Sequence, residues 1–484
     1  MQVIKKILIF SFLSLLLPGD YHTSEVGAHL HENLHIDGSN ISLLWIIPFI
    51  GILLSIAILP IVMPKYWHNN YGKVSAFWGS AFIISFMTYF GMESMKFYLL
   101  EVYLKEFLPF IVILIALFTV SGGVLISGNM KGTPIINTSI LFIGTVLASW
   151  MGTTGASMLL IRPLIKSNID RKNKVHIFVF FIFLVSNIGG ALTPLGDPPL
   201  FLGFLKGIDF FWTTTNLFLP MISISIPLMI IFFLFDSYIY KKENLNYDNN
   251  KLNIKISGKS NLVLILLIIL TVVISGIWKS DTSDKLNWFI EYGGECIMTY
   301  GTLFQLCSLL FISFISLKIT PKYIRNENDF TWEPVKEVFK LFATIFITMV
   351  PAIAMLKAGL NGPLSPVISM LTDSNGDNIN IMYFWITGGL SSFLDNAPTY
   401  LVFFNTAGGN PTYLMNEGSM TLVAISAGAV FMGAMSYIGN APNFMVKSIA
   451  EENKINMPSF FGFMLWSIIF LVPILLIYSI VFYA

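Results

Sequence analysis

The 484-residue chain is 55% hydrophobic and only 11% charged, where an ordinary soluble domain carries about 25% charged residues. So few charges cannot build a water-facing surface, so lipid must cover most of the molecule. A net charge of +1 excludes a basic field for nucleic acid, and the two cysteines, Cys296 and Cys307, exclude a disulfide framework or a cysteine zinc site.

In chain order, Lys5 and Lys6 precede the apolar run Ile7 to Leu17, which is too short to cross roughly 30 Å of hydrocarbon. Residues 1–28 therefore read as a signal peptide, with Val26-Gly27-Ala28 as its cleavage site. Residues 29–40 read as a solvated periplasmic tail, so His22, His29, His31 and His35 are not taken as a metal site. Apolar runs near 20 residues predict spans at 41–63, 74–91, 107–128, 176–206, 216–238, 261–277, 298–317, 338–358, 419–447 and 461–483.

Two further apolar runs, 135–165 and 380–405, are broken by Ser149-Trp150-Met151-Gly152-Thr153-Thr154-Gly155 and by Ser391-Ser392-Phe393-Leu394-Asp395-Asn396-Ala397-Pro398-Thr399. Backbone that leaves a helix at membrane depth must be shielded by protein or face water, so these predict re-entrant hairpins. The spans 176–206 and 419–447 are themselves interrupted. The first contains Asn187-Ile188-Gly189-Gly190-Ala191-Leu192-Thr193-Pro194-Leu195-Gly196-Asp197-Pro198-Pro199, the second Gly433-Ala434-Met435-Ser436-Tyr437-Ile438-Gly439-Asn440-Ala441-Pro442. Proline and glycine at this density cannot sit in one continuous helix.

Residues 149–201 align with 392–444 at a constant offset of 243, placing Ser149 on Ser392, Gly190-Ala191 on Gly433-Ala434, Thr193 on Ser436 and Asp197 on Asn440. Each half, 41–238 and 261–484, then holds three spans, a hairpin, a broken span and a last span, joined by a cytoplasmic linker, 239–260. Five spans per half is odd, so the second half enters from the opposite side. The predicted fold is an all-α polytopic membrane protein of two inverted repeats of about five transmembrane helices, each with a re-entrant hairpin and a broken helix. Matching interrupted segments in two halves mark a transporter's binding site.

Loop charge agrees with a periplasmic processed N-terminus. The loops this puts in the cytoplasm carry Lys65, Lys73, Lys131, Arg162, Lys166, Arg171, Lys172, Lys174, Lys241, Lys242, Lys318, Lys322 and Arg325. The periplasmic ones carry Lys96, Lys105, Lys206, Lys279, Lys285 and Lys357. That is the positive-inside asymmetry of a bacterial inner-membrane protein.

Asp197 and Asp395 are the only carboxylates in the broken segments, and an ionisable group at membrane depth is functional by default. Thr153, Thr154, Asn187, Thr193, Ser392, Asn396, Ser436 and Asn440 add hydroxyl and amide oxygens around them. Such oxygens suit a hard cation such as Na⁺. A carboxylate that holds either Na⁺ or H⁺ is the minimal device for exchange. The competing role for each aspartate is to cap the helix that restarts after it, and for the hydroxyl residues, helix packing. His176, at the start of a span, reads as interfacial, and Trp150 as a packing anchor.

Two hairpins and two broken helices in inverted halves resemble the ion transporter superfamily. The strings SNIGGALTPLGDPPLFLGFLKG, GASMLLIRPLI, SSFLDNAPTYLVFFN and SYIGNAPNFMVKSIAEE look most like its NhaD-type sodium/proton antiporters. The resemblance implies a homodimer with a scaffold part and a moving part, exchanging Na⁺ (or Li⁺) for H⁺ by alternating access, with no cofactor beyond the transported ions. In the superfamily's carboxylate symporters each hairpin tip resembles Ser-Asn-Thr. Here the tips read Gly152-Thr153-Thr154 and Asp395-Asn396-Ala397, and an aspartate in a tip would repel a dicarboxylate. The alternative is a sodium-coupled carboxylate or anion carrier of citrate or arsenite type, favoured by the positive ends of the hairpin helices. No nucleophile elbow, His-rich metal motif or selectivity-filter string appears in the spans, which sets an enzyme or channel aside.

Overall fold

The computed structural model describes residues 35–243, 254–278, 285–374 and 376–483. The expected signal peptide, His22, His29, His31 and the middle of the 239–260 linker lie outside the described residues. Among those described, eight helices are long and apolar enough to cross a membrane. A ninth span results if Glu333–Thr348 and Val350–Lys357 are taken together across their 41° bend. The bend falls where Pro351 withholds a backbone N–H and crowds the preceding turn.

Helix α1 (Ile47–Val62) and α2 (Pro64–Phe90) run almost without a break, so the expected loop around Lys65 and Lys73 is helical. Helix α3 (Met92–Ser121) begins well before the expected residue 107 and passes through a π-helical turn at Glu101–Phe107. It stops at Gly122-Gly123. Strand β1 (Leu125–Gly128) then pairs antiparallel with β2 (Ile254–Ser257), Leu125 opposite Ser257. The expected periplasmic loop 278–297 folds back as β3 (Trp288–Tyr292) and β4 (Glu295–Thr299), turned by Gly293-Gly294, both at positive φ. The chain is otherwise helical, as expected, and these two short ribbons are additions to it. For β3–β4 the signal, aromatic and branched residues flanking a Gly-Gly turn, lies in the sequence, whereas β1 and β2 are far apart in the chain and carry no such signal.

The first hairpin has arms α4 (Pro134–Met151) and α5 (Thr153–Ser167), with only Gly152 between them at φ 82°. The first broken helix is α6 (Val175–Leu184), a 3₁₀ turn at Ile188–Leu192, and α7 (Pro198–Leu205). Helix α8 (Trp212–Glu243) closes that half. After α9 (Ser260–Ile277), α10 (Tyr300–Ile319), α11 (Glu333–Thr348) and α12 (Val350–Lys357), the second hairpin has arms α13 (Asn380–Phe393) and α14 (Asn396–Thr406). The second broken helix is α15 (Ser419–Met432), a 3₁₀ turn at Gly433–Met435, and α16 (Ala441–Glu452), followed by α17 (Phe460–Tyr483).

The helices restart at Thr153 and Asn396, and again at Pro198 and Ala441, each pair 243 residues apart. Every residue of α6 from His176 to Leu184 is buried. A helix apolar all round belongs inside a bundle, and α6 forms part of the molecule's centre. By contrast α1 and α17 turn large side chains outward, with Val62 68%, Ile477 65% and Val481 71% exposed, the pattern of helices at the rim of a membrane bundle. The second hairpin arms pack crosswise: α5 against α16, and α7 against α14.

The mouth of the first hairpin is tied by a buried ion cluster. Arg171 Nη2 donates to Asp236 Oδ1 at 2.7 Å and Nε to Glu243 Oε2 at 2.5 Å, while His176 Nε2 lies 2.8 Å from Asp236 Oδ1. Asn137 Nδ2 donates to Asp236 Oδ2 at 3.0 Å. These groups join the start of α4, the loop after α5, the start of α6 and the end of α8. His176, in the first turn of α6, is therefore buried against a carboxylate (2% exposed).

Candidate functional site

Asp197 stands immediately before Pro198-Pro199, whose fixed φ and missing N–H make them fit to open a helix. It occupies the N-cap position of α7, yet its side chain makes no capping bond. The carboxylate turns inward instead. Oδ1 accepts from Thr153 Oγ1 at 3.0 Å and from Asn440 Nδ2 at 2.9 Å, and Oδ2 accepts from Asn396 Nδ2 at 2.5 Å. Thr153 is the first residue of α5, Asn396 the first of α14, and Asn440 the N-cap of α16. Four helix N-termini thus converge on one carboxylate that is 2% exposed. Their positive dipole ends and three donors compensate its charge.

Around this centre the unwound backbone is stitched by side chains. Thr193 Oγ1 donates to Ser149 O, and its counterpart Ser436 Oγ donates to Ser392 O at 2.5 Å. Leu195 N and Ile438 N then bond the same two hydroxyls at 3.1 and 3.2 Å. Ser392 Oγ itself bonds Gly388 O and Met432 O. Thr153 N donates to Gly196 O at 2.8 Å, fastening the first hairpin tip to the first break. Gly196 lies so close to Gly190 that a Cβ there would sit on the Gly190 carbonyl oxygen. Such satisfaction is what non-helical backbone at membrane depth requires.

Of the ten residues expected to act, Thr153, Asn187, Asp197, Asn396 and Asn440 form one network. Asn440 Nδ2 reaches Asn187 Oδ1 at 3.2 Å as well as Asp197. Thr193, Ser392 and Ser436 hold the backbone behind it. Thr154 is not among the donors to Asp197 but lines the adjoining cavity with it. Asp395 lies beside this network without bonding into it: its Oδ1 accepts from Ala397 N at 3.0 Å, a helix cap, and it remains partly exposed. Asn443, which sequence reasoning missed, accepts from Asn187 Nδ2 at 2.7 Å and donates to Gly433 O and Ser436 O, both at 2.8 Å. Its counterpart at the offset of 243 is Leu200, so comparing the halves gives no signal for it.

A cavity of about 50 Å³ adjoins the carboxylate, lined by Thr153, Thr154, Gly196 and Asp197 on one side and Phe110, Leu117 and Phe201 on the other. It has room for roughly three or four waters, far less than the ~300–1,000 Å³ of typical small-molecule sites. The wider groove of about 540 Å³ between α4 and α8 is lined by Ile135, Phe142, Ile143, Met229 and Phe233 and offers almost no polar recognition. The donor set at Asp197 is oxygen and amide only. No group of three or more His, Cys, Asp or Glu among the described residues is arranged to hold a metal ion. Carboxylate, hydroxyl and carbonyl oxygens fit a hard cation rather than a transition metal.

A family model described as "Putative citrate transport" matches residues 38–483. No curated protein matches the chain.

Proposed function

The chain belongs to this citrate-transport family and is a multi-pass membrane transporter, and from that premise we propose that it is a Na⁺/H⁺ antiporter working at Asp197. The observation that carries the reading is the resident carboxylate itself. Four helix N-termini meeting at one point would welcome an anion, but Asp197 already takes the Thr153, Asn396 and Asn440 donors. A substrate carboxylate would have to compete with it and bear its repulsion. A cation would be drawn to it, with Asn396 Oδ1, buried and without a partner, as a further oxygen.

Exchange follows from competition. A carboxylate removed from water favours its neutral form unless a cation compensates it, so it holds a proton or a Na⁺ but not both. Alternating access then carries one ion each way. Asp395, one residue before Asn396, adds negative charge to the second tip and steers cations toward it. The first hairpin would open to the cytoplasm and the second to the periplasm of a bacterial inner membrane.

The second reading is a sodium-coupled citrate-type carrier. It is favoured by the family description and by the helix N-termini, which Asp197 would vacate on moving. Everted vesicles separate the two. Collapse of an imposed ΔpH by Na⁺ or Li⁺, with no accumulation of labelled citrate, is the expected result. Na⁺-dependent citrate uptake without ΔpH collapse would overturn the antiport reading.

A further inference from the structure

Asp197 lies in a seam between α3 and the unit made of the first hairpin and α7, since α5 and α7 both pack against α3. The α3 side of the cavity beside Asp197 is Phe110, Ile113, Leu114 and Leu117, apolar throughout. Thr119 Oγ1 and Ser121 Oγ, further along α3, are buried and make no hydrogen bond, although Ser121 lies so close to Gly155 of α5 that a Cβ there would clash with it. Among the described residues, no hydrogen bond crosses from α3 to the hairpin or to α7 over this stretch. The two parts meet along a smooth apolar face.

Ion pairs close the seam at both ends. At one end Lys206 Nζ, at the C-cap of α7, donates to Glu106 Oε1 in the π-helical turn of α3. That pair is mostly shielded, with the Lys206 side chain 27% and the Glu106 side chain 12% exposed. At the other end Arg162 of α5 donates from Nε and Nη2 to Asp329 Oδ2, both at 3.2 Å. Lys166, one turn further along α5, lies 3.7 Å from Glu327. Asp329, between α10 and α11, is fixed to α3. Its neighbour Phe330 packs on Phe118 with ring centroids 5.1 Å apart, and Arg325 Nη1 donates to Thr119 O at 3.0 Å. In both pairs the cation stands on the part that carries Asp197, and the anion on α3 or on what is tied to it. The two ends are about 20 Å apart along α3, with the cavity and its carboxylate between them. The repeat itself requires neither pair, because 243 residues after Arg162 and Lys206 stand Asn405 and Ile449.

We propose that Glu106–Lys206 and Arg162–Asp329 are the two gates of the carrier, opened in turn, and that both are closed in this structure; the inference rests on alternating access but not on which ion is carried. Apolar contact is non-directional, so the hairpin and α7 can shift along α3 without breaking a hydrogen bond. The ion pairs are directional, and they fix the register at each end. Opening one mouth separates its pair and admits water to the cavity from that side, while the other pair holds the far mouth shut. With both pairs formed the cavity keeps only about 50 Å³.

The test reads which side can reach the cavity. In a protein without Cys296 and Cys307, Leu114→Cys places a thiol on the α3 wall of the cavity, and an impermeant maleimide is applied to intact cells and to everted vesicles. Glu106→Gln with Lys206→Met removes the first pair without stranding a charge. Labelling should become faster in intact cells and slower in everted vesicles, each on the order of tenfold. Asp329→Asn keeps a residue that tolerates the φ of 42° at that position. It should shift the two rates the opposite way by about twofold, since the Asp329 side chain is 78% exposed. Exchanging the charges of the first pair, Glu106→Lys with Lys206→Glu, should return both rates toward wild type. The two open states draw on one population, so a lost gate raises one rate at the expense of the other, whereas loosened packing raises both. Unchanged rates in both variants, or a rise from both sides, would overturn the gates. Na⁺-driven ΔpH collapse is read in the same vesicles. Its absence in the wild type, beside opposite labelling shifts in the variants, would overturn the antiport reading and leave the gates standing.

Discussion

Replacing Asp197 by Asn keeps the side chain's size and removes its charge and its titrating proton. The carboxylate now accepts three hydrogen bonds. Bonds to a charged group contribute about 1.5–3 kcal/mol each and neutral ones about 1, so exchanging three of one kind for the other loses about 3 kcal/mol. Against that stands the desolvation of a buried carboxylate, several kcal/mol, which the amide escapes. One geometric difficulty arises, because the new NH₂ would face Asn396 Nδ2, donor against donor. Asn396 resolves it by turning its amide over, which brings its unpartnered Oδ1 to accept. Folded stability should therefore change by no more than about 2 kcal/mol either way, read as the thermal midpoint in detergent. Na⁺-driven ΔpH collapse in everted vesicles at matched expression should disappear. Asp197→Glu keeps the charge but forces a methylene into a packed site, at about 1–3 kcal/mol, and should retain partial exchange with a displaced pH profile. Near-normal exchange by Asp197→Asn would refute the carboxylate mechanism and transfer the case to the anion carrier.

Asp395→Asn should leave stability unchanged, because Asn caps a helix as well as Asp does. Exchange should persist with a raised half-saturating Na⁺ concentration, and unaltered Na⁺ dependence would reduce Asp395 to a cap. Asp236→Ala removes the centre of the ion cluster at the first hairpin's mouth and leaves Arg171 with Glu243 alone. It should cost about 3–5 kcal/mol, whereas Arg171→Met with Asp236→Leu should recover most of the lost thermal midpoint. In a background without Cys296 and Cys307, Asp170→Cys should resist an impermeant thiol reagent in intact cells and react in everted vesicles. Labelling in intact cells would contradict the expected orientation.

The breaks were the most legible part of the chain. Gly152, Pro198-Pro199 and Ala441-Pro442 cannot continue a helix, and the helices restart at those points. Asp197 and its oxygen-bearing neighbours were legible because polar residues are conspicuous among so many apolar ones. Which carboxylate would face the others was not legible. Asp197 and Asp395 both precede a helix start, and only the tertiary arrangement sends one inward and makes the other a cap. Asn443 sits in a run of ordinary helix formers and gains meaning only from Asn187, 256 residues away in sequence. The cluster of Arg171, His176, Asp236 and Glu243 escaped for a similar reason. Each lies near a span end, where a charge reads as solvated until four elements are seen to close over it.

The relation between the family's citrate description and a cation site reduces to what occupies one point. Helix N-termini from both hairpins and both broken helices meet there, and that arrangement supplies donors and positive potential whatever the cargo. With neutral residues at every position around it, the point would hold a substrate carboxylate. With Asp197 in the chain, a carboxylate is already present, tethered and bonded to the Thr153, Asn396 and Asn440 donors. On the proposed reading, the tether changes the partner the site must find, from an anion to a cation that neutralises the anion in place. The two halves make the point internally, since the position equivalent to Asp197 is Asn440, an amide that donates to the aspartate. The first half provides the charge and one donor, Thr153, and the second half provides the donors Asn396 and Asn440. On the proposed antiport reading, Asp197 against Asn440 is the difference between the halves that turns the shared site from an anion toward a cation.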